Sequence, residues 1–162
     1  MPILLKLEAV VYAPIERCFD LSRSIDLHVH TLGKTGERAI AGVTTGLIGD
    51  SEEVTWRAKH FGLWLRHSSR ITAFERPRYF RDSMVRGLFA FYEHDHHFEE
   101  RSGTTVIRET CRFAAPLGPL GWIVERVVLR RYMHGLLEMR IEIIKDVAES
   151  DSWRRYLAAA QE

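Results

Sequence analysis

The sequence lacks the features that mark several classes of protein. No apolar run approaches the roughly 20 residues that a membrane-spanning helix needs, and the first residues show no basic region followed by an apolar run and a cleavage site. Lysine and arginine number 23 against 22 acidic residues, so the net charge of +1 gives no general attraction to nucleic acid or acidic membranes. We therefore expect a cytoplasmic protein with no nucleic-acid partner and no stable membrane insertion.

Cysteine is also scarce. Cys18 and Cys111 are far apart and do not form the Cys-x-x-Cys spacing of a metal or redox site, so we expect two buried, reduced thiols. Repeats, linkers and low-complexity segments are absent, and the length predicts one domain. We place this domain at 1–150. The tail over 151–162 has enough aromatic content to dock on a second subunit, which makes a homodimer one option.

A long amphipathic segment near the C-terminus dominates what is present. Over 119–149, apolar residues recur at three- and four-residue steps, and Gly135 is the one internal breaker. A cluster of proline and glycine precedes the segment and ends whatever comes before it. A helix of this length spans roughly 45 Å and needs a broad apolar surface on which to lie.

The residues before this helix are mostly typical of strands. An alternating strand covers 3–12, Pro14 suits the start of a short helix, and a second short helix covers 25–32. Further strands are predicted at 38–48, 53–61, 64–75, 78–86, 88–100 and 104–114. This order predicts an α+β fold in which a curved antiparallel sheet of six to seven strands wraps around the long helix, with two short helices after the first strand.

Three local motifs add a family resemblance. They are Val-Thr-Trp-Arg-Ala-Lys-His-Phe-Gly at 54–62, Arg-Pro-Arg-Tyr-Phe-Arg-Asp at 76–82 followed by Gly87, and His-Asp-His-His-Phe-Glu at 94–99. With the element order, they resemble the helix-grip fold of the START/Bet v 1-like superfamily and its SRPBCC ligand-binding group, which is polyketide cyclase/dehydrase-like. The resemblance implies a deep apolar cavity between sheet and C-terminal helix for lipids, polyketides or similar molecules. It implies neither a fixed chemistry nor a metal.

The most polar cluster lies on the strand that contains the third motif. Alternation places Tyr92, His94, His96 and Phe98 on one face, and Glu93, Asp95 and His97 on the other. We expect the face with Tyr92 and Phe98 to point inward. On the preceding strand, Asp82 shares a face with Phe80 and is expected to join the two inward histidines.

Three interpretations of this cluster remain open. A His-x-His pair with a carboxylate or His60 has the ligand types of a zinc or iron site. A buried His–Asp pair is suited to acid/base chemistry on a bound substrate. Alternatively, the groups satisfy one another's hydrogen bonds and orient the polar end of a ligand. We favour the last interpretation, with no metal and no cofactor, because His-x-His pairs are common on strands.

The leading functional prediction is a module that binds a hydrophobic small molecule. The predicted ligand-binding residues are Trp56, His60, Phe80, Met84, Tyr92, His94, His96, Phe98, Tyr132 and Met133. The alternative is a cofactor-free cyclase or dehydratase with His94, His96 and Asp82 as catalytic candidates. A third option is an interaction protein whose cavity is filled by side chains. Because side chains alternate between the two faces of a strand, we expect the remaining face to point to solvent; it carries Arg57, Lys59, Glu93 and Asp95.

Overall fold

The computed structural model of the chain describes residues 2–116 and 125–157. The strands are β1 (Ile3–Val11), β2 (Arg38–Gly42), β3 (Glu53–His60), β4 (Leu63–Glu75), β5 (Tyr79–Arg86), β6 (Phe91–Arg101) and β7 (Thr104–Ala114). The helices are α1 (Ile15–Ser22), α2 (Ile25–Thr31), α3 (Arg130–Glu149) and α4 (Arg154–Leu157), with 3₁₀ turns at Gly33–Thr35 and Asp151–Trp153 and a π-helical turn at Glu125–Leu129.

The strands form one antiparallel sheet of seven, in the order β1-β7-β6-β5-β4-β3-β2. Consecutive strands from β2 to β7 are neighbours, and β1 closes the other edge beside β7. The sheet is curved, two short helices follow β1, and α3 packs against β1, α1 and α2. The predicted α+β helix-grip architecture is confirmed.

The main core lies where α1 and α3 meet the inner face of the sheet. Phe19 is fully buried and makes edge-to-face contacts with three rings, each with its centroid 5.3–5.4 Å away: Phe74, Phe80 and Phe98. Ile141 and Ile144 complete the same apolar cluster from α3. Such buried aromatic pairs stabilise a core beyond the area they remove from water. Both cysteines are buried and unpaired, as expected.

Strand β2 is shorter than the predicted 38–48. It ends at Gly42, whose φ of +73° is unfavourable for other residues, and a Cβ there would lie 2.1 Å from the carbonyl oxygen of Glu53. Beyond it, the Asp26 carboxylate at the start of α2 accepts hydrogen bonds from the Thr45 hydroxyl and the Gly46 amide. The chain therefore leaves the sheet early, because a helix terminus holds it instead of a neighbouring strand.

Strand β6 begins at Phe91, three residues later than predicted. The connection before it passes close over β4, since a Cβ on Gly87 would lie 2.6 Å from His67 Nδ1 and 2.9 Å from Met84 Sδ. The backbone amide of Ala90 donates to the carbonyl of Ala114 at 2.8 Å. This tight connection replaces the start of the predicted strand.

The long C-terminal helix covers the described part of the predicted segment 119–149. Its first turn is π-helical and α3 follows to Glu149; the predicted start at 119–124 lies outside the described residues. After α3, Trp153 packs against the main core, with the Arg17 guanidinium 4.4 Å from its ring centroid. The division into a domain at 1–150 and a tail stays a prediction. Among the described residues, no helix is both long and apolar enough to cross a membrane.

Candidate functional site

A cavity of about 380 Å³ lies between the inner face of the sheet and α3. The predicted ligand-binding residues that line it are Trp56, His60, Phe80, Tyr92, His94, Tyr132 and Met133, and Asp82 lines it as well. Further apolar wall comes from β4 and α3, for example Ile71 and Leu137. The alternation of side chains along the strands thus places most of the predicted residues around the same cavity.

Three predicted ligand-binding residues do not line this cavity. Phe98 lies beyond its end, where Phe19 of α1 covers that part of β6. His96 is fully buried beneath Phe80, with ring centroids 4.2 Å apart and nearly parallel planes. Met84 lies against Gly87 at the β5–β6 connection. Alternation assigned them to the inner face, but neighbouring elements cover that face at these positions.

One end of the cavity carries a set of ionisable side chains that we call the inner cluster. Its members are Asp82, His94, His96, Glu109 and Arg140. Register places Asp82 opposite His94 and Glu109 opposite His96 on adjacent strands. His96 is hydrogen-bonded at both ring nitrogens, with Nε2 3.0 Å from Asp82 Oδ2 and Nδ1 3.2 Å from Glu109 Oε1. His94 lies beside it, with ring centroids 3.9 Å apart.

The members of the inner cluster shift one another's pKa values. Burial alone would lower the pKa of His96, but hydrogen bonds with Asp82 and Glu109 raise it above its ordinary value. Burial would raise the pKa of Asp82, but the hydrogen bond from His96 and the nearby histidines lower it to about 2. Burial and the charge of His96 lower the pKa of His94. The folded structure therefore favours the protonated form of His96 beside ionised Asp82, and the neutral form of His94.

Hydrogen bonding within this cluster is incomplete. Arg140 donates from Nη2 to the carbonyl of Ser22 at 2.7 Å, while its Nη1 lies 3.8 Å from Glu109 Oε1. Within the described residues, His94 Nε2, Glu109 Oε2 and Arg140 Nε are buried without a hydrogen-bond partner. Unsatisfied buried polar groups are rare in folded proteins, and each calls for a reason.

A second polar region lines the cavity near β2 and β3. His28 Nε2 lies 2.7 Å from Glu37 Oε1, and the His28 ring stacks on Trp56 at 4.1 Å. His60 Nδ1 lies 2.6 Å from the hydroxyl of Tyr132, which joins β3 to α3. Burial lowers the pKa of His60 below its ordinary value. These pairs fix side chains around the cavity at the end opposite β6.

The opposite face of β6 carries an outer cluster, which corrects one prediction. Asp95 was expected to face solvent but is 2% exposed. Its carboxylate accepts from the Tyr79 hydroxyl at 2.6 Å and Arg81 Nε at 2.7 Å, and Arg112 Nη1 lies 3.0 Å away. Long side chains on neighbouring strands cover it. With half-buried Glu93, these residues form the outer cluster; Arg57 and Lys59 are exposed as expected.

Two members of the inner cluster were missed at the sequence level. Glu109 interrupts an alternating apolar row on β7 that includes Ile107 and Cys111, so parity already placed it inward. Arg140 lies three residues after Leu137 in the apolar stripe of α3 and is 8% exposed. A charged residue in an apolar row was the available signal in both cases.

Comparison with known proteins supports the fold. No protein-family model matches the chain, and no curated protein matches its sequence. A structure of TTHA0849 from Thermus thermophilus superposes with a TM-score of 0.72 at 18% identity, covering 98% of this chain and 99% of that chain. Ginseng major latex-like protein 151 from Panax ginseng gives 0.62 at 11% identity, covering 92% and 99%. Ara h 8.0201 gives 0.62 at 12% identity, covering 89% and 99%.

Proposed function

We propose that this protein, which has the START/Bet v 1 fold, binds a hydrophobic small molecule in the cavity between its sheet and α3. The observation that carries the proposal is a cavity of about 380 Å³ with a mainly apolar wall. Ligand sites commonly enclose about 300–1,000 Å³ and place a few polar groups in an apolar surface. An open cavity also argues against an interaction protein whose interior is filled by side chains.

The distribution of polar groups suggests how a ligand is oriented. Trp56, Phe80 and Met133 supply apolar wall, while Asp82 and His94 reach the cavity from the inner cluster. A lipid or polyketide with one polar end gains hydrogen bonds there and leaves its apolar body against the wall. Hydrogen bonds at this end offset the cost of removing the ligand's own polar group from water.

A fluorescent probe tests whether the cavity binds. The neutral dye N-phenyl-1-naphthylamine is titrated into wild-type protein and two matched variants. Ala58 is 4% exposed and lines the cavity, whereas its neighbour Lys59 points outward. We expect saturable binding that Ala58→Phe weakens at least about tenfold, the equivalent of 1.4 kcal/mol, and that Lys59→Phe leaves unchanged. Absence of saturable binding, or equal loss in both variants, contradicts the proposal.

Native mass spectrometry of protein purified from its own host identifies the class of ligand. We expect a co-purified hydrophobic molecule that Ala58→Phe removes. A protein that is empty under every purification condition, and that also fails to bind the dye, argues for a purely structural or interaction role.

A second candidate function is a cofactor-free cyclase or dehydratase. The observation that favours it is His94, because its pKa is lowered by burial and by the charge of His96, and because the neutral ring lines the cavity beside Asp82. A neutral imidazole accepts a proton from a bound substrate. Turnover of the co-purified molecule, lost in His94→Gln while binding persists, distinguishes this enzyme from a carrier.

Location and assembly are also inferred from the sequence. We place the protein in the cytoplasm and consider a homodimer through the tail, of which Trp153 is the first aromatic residue. Sedimentation at several concentrations tests the assembly. A single monomeric species throughout contradicts the homodimer.

A further inference from the structure

The inner cluster contains three metal-binding side chains whose donor atoms face one another. Asp82 Oδ2 lies 3.0 Å from His96 Nε2 and 3.9 Å from His94 Nδ1, and all three donors lie within 4.8 Å of each other. An ion with bonds of about 2.0–2.2 Å holds its donors no farther apart than about 4.4 Å. Small side-chain rotations are therefore enough to bring the three donors onto one ion.

The remaining nitrogen of each imidazole faces one buried carboxylate. His96 Nδ1 lies 3.2 Å from Glu109 Oε1, and His94 Nε2 lies 3.4 Å from Glu109 Oε2. Histidines that bind metals usually donate their other N–H to a carboxylate or carbonyl, which fixes the tautomer and the ring orientation. A His-x-His pair on a strand does not provide this by itself, and Glu109 provides it for both rings.

The atoms without partners fit the same arrangement. His94 Nε2 and Glu109 Oε2 have no hydrogen bond among the described residues, although both side chains are almost fully buried. A metal on Nδ1 leaves the proton of His94 on Nε2, from where it can be donated to Glu109. Occupation of the site thus fixes the tautomer in which His94 can donate to Glu109.

The charge of the cluster also admits a cation. With both imidazoles neutral, Asp82 and Glu109 contribute two negative charges and Arg140 one positive charge, which leaves one net negative charge. The nearest Arg140 nitrogen to Glu109 is Nη1, 3.8 Å from Oε1. Arg140 also lines the cavity beside Asp82 and His94, so its positive charge partly offsets the two carboxylates.

We propose that Asp82, His94 and His96 bind one divalent transition-metal ion at the end of the cavity that carries the inner cluster. Glu109 is the residue that positions both histidines. Two imidazoles and one carboxylate leave coordination positions open, as in zinc and ferrous iron sites. Asp82 and His94 line the cavity, so a polar group of a bound molecule can reach the ion. The inference goes beyond the proposed function, because a hydrophobic molecule can occupy the cavity with or without the ion.

The test is a metal titration of chelator-stripped protein. Co²⁺ binding is followed by its visible d–d absorption, and Zn²⁺ binding by calorimetry. We expect one ion per chain in the wild type. Glu109→Gln should retain the stoichiometry but weaken affinity about 10–100-fold, as for other orienting residues, and Asp82→Asn, His94→Gln and His96→Gln should weaken it further.

His97→Ala is the matched control, because His97 lies on the same strand but is exposed on the opposite face. Its affinity should equal that of the wild type. Asp82→Asn keeps the side-chain volume at a position that is 20% exposed, so it remains informative if a histidine variant fails to fold. Circular dichroism verifies that each variant is folded.

Anomalous scattering from a zinc-soaked crystal of the wild type locates the ion without any substitution. A peak among Asp82, His94 and His96 supports the proposal. Two other His–Glu pairs in the described chain are His28–Glu37, with Nε2 and Oε1 2.7 Å apart, and His134–Glu138 on α3, with Nδ1 and Oε2 3.1 Å apart. No stoichiometric binding in solution, a peak only at one of these pairs, or an equal loss in His97→Ala overturns the proposal. The dye titration, run on stripped and loaded protein, reports separately on the hydrophobic ligand, so failure of the ion site and failure of the cavity are distinguishable.

Discussion

The two faces of strand β6 carry clusters that each contain two acidic residues but differ in their other members. Each centres on a carboxylate that is almost excluded from solvent: the Glu109 side chain is 0% exposed in the inner cluster, and the Asp95 side chain 4% in the outer cluster. Asp95 accepts well-formed hydrogen bonds from Tyr79 and Arg81. Glu109 instead faces two imidazoles and a distant guanidinium, and one of its oxygens has no hydrogen bond within the described chain.

The comparison shows that burial of a carboxylate does not by itself indicate a functional site. The arginines of the outer cluster stay charged at all physiological pH values and are 32% and 37% exposed, so water shares their solvation. The inner cluster contains two histidines whose protonation can change, and it opens into a cavity. Incompletely satisfied, titratable groups beside a cavity mark a candidate site. A cluster whose hydrogen bonds are satisfied and whose arginines stay charged is typical of a structural role.

The largest expected contrast is in stability. Glu109→Gln removes the buried carboxylate that faces His96 and Arg140, and breaking a buried pair in this way typically costs about 3–5 kcal/mol. Asp95→Asn should cost about 1–3 kcal/mol, because its partners are closer to water. Urea denaturation of both variants measures the difference in the free energy of unfolding. Equal losses would remove the distinction between the two clusters.

Of the two clusters, only the inner one should affect ligand binding. In metal-free protein, Asp82→Asn removes a negative charge from the cavity wall, which should strengthen binding of the anionic dye 8-anilinonaphthalene-1-sulfonate by on the order of tenfold. The neutral dye should change little. Asp95→Asn is the matched control on the opposite face and should leave both affinities unchanged; an equal effect of the two substitutions would contradict the cavity assignment.

Acid should remove the contribution of the outer cluster. Burial would raise the pKa of Asp95, but the hydrogen bonds from Arg81 and Tyr79 lower it below 3.8. Because the folded protein favours the ionised carboxylate, this contribution is present above pH 3.8 and is lost as the pH falls through the folded pKa. The difference in urea midpoint between wild type and Asp95→Asn should therefore shrink in acid. A constant difference down to the acid-unfolded state argues against an ionised Asp95.

The smallest effect is expected for Arg112→Lys. Arg112 is 37% exposed and is one of two arginines around Asp95, so an ammonium group and water can replace it at a cost below about 1 kcal/mol. The same urea experiment measures it. A loss as large as that of Glu109→Gln would show that the outer cluster is as dependent on one charge as the inner one.

Local patterns were sufficient for most of the architecture. The first strand, the two short helices, the β6–β7 hairpin and the long helix follow from the two-residue and 3.6-residue periods of side-chain direction. The same alternation placed Trp56 and Phe80 on the inner face and Arg57 on the outer face. These properties belong to a short stretch of backbone, so a short stretch of sequence determines them.

The tertiary structure decided how deeply each position is covered and which groups meet. Asp95 points outward, as alternation requires, yet it is buried because Arg81 and Arg112 reach over it from the neighbouring strands. Phe98 and His96 point inward but lie outside the cavity wall, since α1 and Phe80 cover them. The meeting of His94, His96 and Glu109 depends on the register of β6 against β7. Side-chain direction is a local property of the chain, whereas burial and partner choice depend on distant segments that pack from above.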